Sequence, residues 1–329
     1  MTKAKNTGLF ILLIIQAALI VYLYRPGQGA PPPATLLFSG LRPETVTSFT
    51  ITDNTGKTIS LAKIKQAWIV GPDGYPGDND KINNLVRRIA GLKSSRLVSR
   101  TRGSHSRLKV GDELFNRKIV LSGPDRKKVV TFFLGTAPSA RTIYLRRAGE
   151  DDVYEVGGLS IWKLQTDKES WWQRKYVAVK NADLQSLTLT NHGKIISLQR
   201  DAKENWQLAG TPADRKLDRN RVTKLLNSVC RISISGYEGK NFAPQDKAIA
   251  TITYKTRDKT FKLRIWPKNN KANEQVIKNS QSRFYARLEP YILQDTLELK
   301  KSDLLLKLKQ PSTQPPAAAK KKGGPAPAQ

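Results

Sequence analysis

DNDKINNLVRRIAGL at residues 78–92 and DRNRVTKLLNSVCRI at residues 218–232 decide the fold, because both segments predict the same amphipathic helix. Apolar residues recur at positions i, i+3, i+4, i+7 and i+10 in each copy, which is the spacing of one buried helix face. Each copy begins with an aspartate, Asp78 or Asp218, placed to accept hydrogen bonds from the unpaired amides of the first turn. The apolar positions are Ile82, Leu85, Val86, Ile89 and Leu92 in the first copy, and Val222, Leu225, Leu226, Val229 and Ile232 in the second.

Strand-like segments surround both helices in the same order. VTSFTIT at residues 46–52 resembles LQSLTLT at residues 184–190, and each is followed by a glycine turn, a second short strand and a tryptophan, Trp68 or Trp206. After each helix, alternating runs such as RKIVL and AIATITY predict antiparallel strands with one face packed on the helix. The expected fold class is α+β: a tandem duplication in which each unit is an antiparallel sheet packed on one main amphipathic helix. Chance similarity of the two halves is the alternative.

The apolar run from Gly8 to Tyr24 predicts a transmembrane anchor that precedes the folded region. It contains no charged residue and spans about 25 Å as a helix, near the lower limit for crossing a bilayer. Lys3 and Lys5 lie before it, which favours a cytoplasmic N-terminus and an extracytoplasmic, periplasmic domain at the inner membrane of a bacterium. A cleaved signal peptide is the alternative interpretation.

The remaining boundaries follow from composition and from the repeat. We expect a short cytoplasmic N-terminus at 1–7, the anchor at 8–24, a Pro/Gly linker at 25–35, a first α+β repeat at 36–165, a connector at 166–175, a second α+β repeat at 176–308 and a disordered Pro/Ala/Lys tail at 309–329.

The charge balance is strongly basic. Lys and Arg total 57 against 27 acidic residues, which gives a net charge of +30. Such a field favours anionic partners, for example nucleic acid, lipid head groups or acidic glycans, although a solvated basic surface accounts for it equally well.

The densest basic region is the interval from Lys81 to Gly111, which contains no acidic residue. We expect Arg87 and Arg88 on the outer face of the first helix, which continues into a basic loop. The second copy has a corresponding basic region with fewer cations, which are Arg219, Arg221, Lys224 and Arg231. Anion binding and a merely solvated surface both fit this pattern. Nucleic acid is disfavoured because no aromatic residue interleaves the cations. The candidate anion-binding residues are Lys81, Arg87, Arg88, Lys93, Arg96, Arg100, Arg102, Arg107 and Lys109.

No catalytic or metal-binding motif is recognisable. The two histidines, His105 and His192, lie in polar, turn-like settings and are expected to be solvated, and Cys230 is expected to be a buried core thiol. A zinc site would need several His or Cys ligands, and the glycines before Asp78 lack the spacing of a phosphate-binding loop. We therefore expect no catalytic residue, no metal and no cofactor.

Several motifs carry a family resemblance. WIVGPDGYPGD at residues 68–78, followed by FFLG, IYLR and VYEV at residues 132–156, resembles the bacterial family that carries domain of unknown function number 4340. The segment from Trp172 to Lys175 is similar to that family's join between repeats, where an acid often stands at the position of Gln173. The resemblance implies an extracytoplasmic, membrane-bound component associated with ABC-type transport systems, and it implies no catalytic residues.

Two functions remain open on the sequence. The first is a non-catalytic binding or scaffolding protein that is an auxiliary component of an ABC-type transport or envelope complex, with a permease and ATPase as partners. The second is a binder of anionic envelope polymer, lipid head groups or nucleic acid through the basic surface. An enzyme has no positive support.

Overall fold

The computed structural model describes residues 12–20, 35–124, 127–212, 214–268 and 271–306. The chain divides into two compact units between Gln173 and Arg174, a boundary inside the expected connector at 166–175. The expected cytoplasmic N-terminus, the tail, both ends of the anchor and nearly all of the linker lie outside the described residues.

Helix α1 (residues 12–20) lies inside the expected anchor. Its large side chains, including Leu13, Ile14 and Leu19, are exposed although they are apolar. Within the described parts of the chain, no helix is both long enough and apolar enough to cross a membrane.

The first unit is built on a nine-stranded antiparallel sheet with the strand order β4-β3-β2-β1-β6-β7-β8-β9-β5. Burial alternates along β1, so that Phe49 and Ile51 enter the core while their neighbours are only partly covered. This alternation is what a sheet with one packed face requires. The elements are β1 (Ser48–Asp53), β2 (Thr58–Ile64), β3 (Ala67–Val70), β4 (Tyr75–Pro76), α2 (Asn79–Ala90), β5 (Ser94–Ser99), α3 (His105–Leu108), β6 (Arg117–Ser122), β7 (Lys128–Leu134), β8 (Thr142–Arg147) and β9 (Val153–Gly157).

The second unit is built on an eight-stranded sheet with the order β13-β12-β11-β16-β17-β18-β19-β15, and a small second sheet pairs β10 with β14. Its core includes Leu187, Ile252 and Leu263. The elements are β10 (Lys175–Ala178), β11 (Leu184–Asn191), β12 (Lys194–Arg200), β13 (Trp206–Leu208), α4 (Arg219–Cys230), β14 (Arg231–Ser233), β15 (Gly236–Tyr237), β16 (Ala250–Thr256), β17 (Thr260–Lys268), β18 (Lys271–Asn279), β19 (Ala286–Leu288) and α5 (Gln294–Glu298).

The two main helices begin and pack as their sequences predict. The Asp78 carboxylate accepts from the amide of Lys81, and the Asp218 carboxylate accepts from the amides of Asn220 and Arg221. The predicted apolar positions of both helices are buried, and Cys230 is buried at the end of α4, as expected. The α+β class is therefore confirmed: mostly antiparallel sheet with a few helices.

Each unit ends in a 3-10 helix that binds the start of its own main helix. In the first unit, the amide of Asp78 donates to the carbonyl of Trp171 over 2.8 Å, and the amide of Gln173 donates to Pro76. In the second unit, the amide of Asp218 donates to the carbonyl of Leu304 over 2.8 Å, and the amide of Leu306 donates to Lys216. The terminal segment of each unit thus holds the first turn of its helix.

The matched tryptophans lie on corresponding strands but differ in burial. Trp68 is on β3, is buried, and donates from its indole nitrogen to Asn83 of α2 over 2.8 Å. Trp206 is on β13, is only half-buried, and lies under the guanidinium of Arg200 at 4.8 Å.

Candidate functional site

The outer face of α2 carries the first three cations of the predicted patch. Lys81, Arg87 and Arg88 are exposed, because Ile82 and Ile89 turn the opposite face into the core. Two of the three side chains also form hydrogen bonds with other segments of the first unit. The Lys81 ammonium donates to the carbonyl of Ser170 and lies 4.9 Å from the centre of the Trp171 ring, and Arg88 donates to the carbonyl of Gly158 over 3.1 Å.

The chain after α2 is not the basic loop that the sequence suggested. Residues Ser94–Ser99 form β5, an edge strand whose neighbour in the sheet is β9, and its Ser94 amide also donates to the carbonyl of Thr35. Lys93 precedes this strand, Arg96 lies on it and Arg100 follows it, and all three side chains are exposed. Cations on an edge strand discourage pairing with a second chain, so this placement has a structural role as well as an electrostatic one.

The last three cations lie on two short helical turns. Arg102 begins a 3-10 turn, Arg107 lies on α3, and Lys109 ends α3 in the left-handed conformation with a φ of 56°. All three are exposed. The segment is therefore ordered structure rather than a loop, because Leu108 and Val110 enter the core of the first unit on either side of Lys109.

The prediction that His105 is solvated is wrong. Its side chain is 4% exposed, and its Nε2 atom lies 2.9 Å from the carbonyl oxygen of Asp151. The polar residues around it suggested a turn, but α3 points the imidazole inward. His192 is exposed, as expected, in the turn between β11 and β12.

The patch contains few neutralising carboxylates. Arg96 forms an ion pair with Glu155 at 2.9 Å, and the Thr142 hydroxyl and the Arg96 guanidinium lower the pKa of Glu155. Within the described ranges of the chain, no carboxylate pairs with the other exposed cations that follow α2, which are Lys93, Arg100, Arg102, Arg107 and Lys109.

The thinner basic set of the second unit is partly neutralised. Arg221 lies 3.9 Å from the Asp218 carboxylate, and Lys224 forms an ion pair with Asp295 at 3.3 Å. Arg219 and Arg231 are exposed. The two basic sets therefore differ: among the described patch cations after α2 only Arg96 has an ion pair, with Glu155, whereas Arg221 and Lys224 of α4 lie near Asp218 and Asp295.

Two cavities of the second unit flank α4. One, of about 460 Å³, is lined by Tyr291, Leu299 and the charged pair Lys224 and Asp295. The other, of about 930 Å³, is lined by Trp206, Arg215 and the first turn of α4. Both are open grooves with mixed polar walls.

Reactive groups are not assembled around these grooves. In the portion of the chain that the structure describes, no three His, Cys, Asp or Glu residues are grouped as metal ligands. Burial raises the pKa of the Cys230 thiol to about 11, so that this thiol stays protonated and is a poor nucleophile.

Asp53 is the most strongly perturbed carboxyl of the first unit. Burial by itself raises its pKa, but hydrogen bonds from the hydroxyls of Thr55 and Thr166 and the amides of Thr55 and Lys57 lower the pKa to about 2. Asp53 is the last residue of β1, just before the turn to β2, and Thr166 belongs to the segment after β9. The carboxylate holds these two segments together, which is a structural role.

Two residues that the sequence did not single out shape the first unit. Arg146 is 2% exposed and donates to the carbonyls of Val110 and Glu150 and to the Asp112 carboxylate. Trp162 is the opposite case, because its indole is 78% exposed. Residue type predicts the reverse in both cases, since arginine is mostly exposed and tryptophan mostly buried, so only the three-dimensional contacts identify either residue.

The fold and this surface define an α+β protein with large antiparallel sheets and an exposed cationic region on one helix and one sheet edge. A family model, described as a domain of unknown function (DUF4340), matches residues 68–255, more than half of the chain. The chain belongs to this family, which confirms the resemblance drawn from the motifs between Trp68 and Val156. No curated protein and no solved structure shows a significant match.

Proposed function

We propose that this chain is a non-catalytic binding or scaffolding protein, anchored by its N-terminal segment at the extracytoplasmic face of a bacterial membrane, and that it is an auxiliary component of an ABC-type transport or envelope complex. The observation that carries the proposal is the exposed, weakly neutralised cationic surface of α2, β5 and α3. A rigid sheet that presents such a surface is better suited to the recognition of an anionic partner than to catalysis of a reaction.

Helix α1 supports the membrane attachment. Its described residues, LLIIQAALI, contain one polar side chain, and their large apolar groups are exposed. A helix that is apolar on all sides is stable only inside a protein core or a membrane. The second support is the family resemblance, which implies association with ABC-type transport systems.

We also infer that the two units arose by tandem duplication. In each unit a three-strand meander, β1 to β3 or β11 to β13, precedes a 12-residue helix capped by aspartate, and a later 3-10 segment binds the start of that helix. If the copies share an origin, the ion pairs of Arg221 and Lys224 at α4, compared with the unneutralised cations after α2, favour the first copy as the one with a binding role.

The scaffolding proposal is tested by purification of the full chain from its bacterial membrane in mild detergent after crosslinking in cells. We expect an ABC permease and ATPase to be recovered with it. The patch quartet, which replaces Arg87, Arg100, Arg102 and Arg107 with Gln, should reduce this recovery by about tenfold through loss of charge complementarity. The control quartet makes the same change at four exposed lysines of the second unit: Lys203, Lys240, Lys247 and Lys255.

The control quartet removes the same number of charges and should leave recovery unchanged. A chain that elutes alone after mild extraction would contradict the scaffolding proposal. Equal losses with both quartets would show that total charge, rather than the patch, governs the association.

A second candidate function, binding of an anionic envelope polymer, is favoured by the acid-free interval from Lys81 to Gly111. Binding of the detergent-solubilised chain to heparin, used as a model polyanion, should weaken steeply as salt rises, because bound cations release counterions. The patch quartet should flatten this dependence and the control quartet should not. Binding that is indifferent to salt would exclude the polymer.

A further inference from the structure

Trp162 is the most unusual apolar residue of the described surface. Trp68, Trp171, Trp172 and Trp266 are buried and Trp206 is half-buried, whereas Trp162 is 78% exposed. Tryptophan is highly buried on average, so a nearly free indole on an ordered turn points to a surface that is covered in the working protein.

The chain around Trp162 is held rigidly. We define the Trp162 turn as residues 158–164. On one side Leu159 is buried, and on the other side Leu164 is buried, so the turn is fixed to the core at both ends. The Trp162 amide donates to the Ser160 hydroxyl, and the Trp162 carbonyl accepts from the Gln165 side chain over 3.0 Å. The indole is therefore presented outward without further ordering of the backbone, which lowers the entropic cost of binding.

Two exposed cations, Arg88 and Lys163, lie at the Trp162 turn, and the turn itself contains no carboxylate. Residues 156–166 include no Asp or Glu, and Lys163 is exposed beside the indole. Arg88 of α2 donates to the carbonyl of Gly158 over 3.1 Å, which brings one exposed guanidinium of the basic patch to the turn. An aromatic ring with an apolar body, flanked by Lys and Arg, is the combination that is enriched at membrane interfaces.

We propose that the Trp162 turn docks on the surface of an anionic bilayer: the indole enters the interfacial layer while Arg88 and Lys163 bind headgroup phosphates. This inference rests on the membrane attachment proposed above and adds a second, reversible contact between the folded region and the lipid. The Trp162 side chain is 78% exposed on its turn, which suits insertion into a soft lipid interface, since a tryptophan is amphipathic and enriched there. Cations close to an anionic leaflet are attracted by its negative surface potential.

Fluorine NMR of the full chain labelled with fluorotryptophan and reconstituted in nanodiscs tests the proposal. The six tryptophans lie in different environments and should give separate resonances. The resonance that is lost in Trp162→Phe is assigned to Trp162. In discs that contain phosphatidylglycerol, a nitroxide on the lipid headgroup should broaden this resonance, and a water-soluble gadolinium chelate should relax it several-fold less than in pure phosphatidylcholine. The buried Trp68 serves as the internal reference for both reagents.

Two charge variants separate the lipid contact from general attraction. Arg88→Gln with Lys163→Gln should restore the access of gadolinium to Trp162, whereas Lys203→Gln with Lys240→Gln should have no effect. Equal relaxation by gadolinium in anionic and neutral discs would overturn the docking proposal while leaving the anchor intact. Protection from gadolinium without broadening by the lipid nitroxide would also overturn it, because a protein would then cover the turn. Loss of the chain from the discs would instead contradict the membrane attachment itself.

Discussion

Single residues of the first unit carry interactions that join distant segments. The Asp53 carboxylate receives the Thr166 hydroxyl at 2.7 Å and, at 2.6 Å, the Thr55 hydroxyl of its own turn. The two threonines are separated in sequence by the whole sheet, so one buried acid joins the start and the end of the unit. A buried, fully hydrogen-bonded carboxylate of this kind stabilises the fold only while it is ionised.

Asp53→Asn tests this role. The pKa of Asp53 falls from its ordinary value of 3.8 to about 2 on folding. A lowered pKa means that the stabilisation is present above the unfolded pKa and is lost as the pH falls from about 4 to about 2. We expect the substitution to lower the free energy of unfolding at neutral pH by on the order of 2 kcal/mol and to flatten its acid dependence.

The measurement for Asp53→Asn is denaturant unfolding of the full chain at several pH values. Asp295→Asn is the matched control, because its ion pair with Lys224 joins two exposed side chains and should contribute less than about 1 kcal/mol. An unchanged acid dependence in the Asp53 variant would show that the carboxylate does not hold the two segments.

Gly135, the glycine of the FFLG motif, is required by a close approach of two chain segments. A Cβ atom at this position would lie 2.0 Å from the carbonyl oxygen of Leu108 and 2.7 Å from a methyl group of Val110. Backbone cannot move aside as a flexible side chain can, so Gly135→Ala should destabilise the protein by about 3 kcal/mol. Gly103→Ala meets no atom within 4 Å and should change stability by less than about 0.5 kcal/mol.

Thermal unfolding of the full chain followed by circular dichroism compares the two glycine variants. Hydrogen exchange of the amides of β7 and β8 locates the effect, since Gly135 donates to Tyr144 and lies between these strands. Equal melting temperatures for the two variants would refute the close packing of Leu108 on Gly135.

At the scale of elements, the capped starts of α2 and α4 are the clearest shared feature of the two units. Asp78→Ala and Asp218→Ala should each lower the free energy of unfolding by about 1 kcal/mol, because amides of the first turn lose their acceptor. Asp78→Asn and Asp218→Asn keep an oxygen acceptor and should lower the free energy of unfolding by only about a few tenths of a kcal/mol. Hydrogen exchange reports the effect at the amides of Lys81 for the first helix and of Asn220 and Arg221 for the second.

The same comparison separates two explanations of the caps. If Asn restores protection of the first-turn amides, hydrogen bonding explains the stabilisation. If Asn behaves like Ala, the negative charge at the helix start explains it instead.

The helices and most strands could be predicted because their apolar residues follow the period of the element. Strand β5 could not, because SSRLVS places Leu97 and Val98 side by side rather than in alternation. Its neighbour in the sheet, β9, lies far along the chain, and an edge strand is specified by that partner more than by its own pattern.

The candidate surface was predictable in its charge and exposure but not in its geometry. A run without acidic residues already indicates solvent-exposed cations, and all nine are exposed. The contacts of Arg96 with Glu155 and of Arg88 with Gly158 depend on long-range pairing, which one sequence does not encode locally. His105 was misjudged for the same reason, since its partner at Asp151 comes from another turn.

At the scale of the whole molecule, the net charge of +30 opposes compactness. The ion pairs of the described residues involve mostly exposed side chains, for example Lys57 with Asp167 and Lys224 with Asp295. Such pairs contribute little, whereas repulsion among the excess cations acts over the whole surface. Screening by salt should therefore remove more repulsion than attraction.

We accordingly expect the melting temperature of the full chain to rise when sodium chloride increases from about 0.02 M to about 0.5 M, as the Debye length falls below the spacing of the surface charges. If repulsion were spread evenly, the patch quartet and the control quartet would weaken this salt dependence equally. Because the cations after α2 have few neighbouring carboxylates, the patch quartet should weaken the salt dependence more.

A melting temperature that falls with salt would mean that ion pairs outweigh repulsion. Equal effects of the two quartets would mean that the first unit holds no excess of local charge density, which would remove the physical basis for its selection as the binding surface.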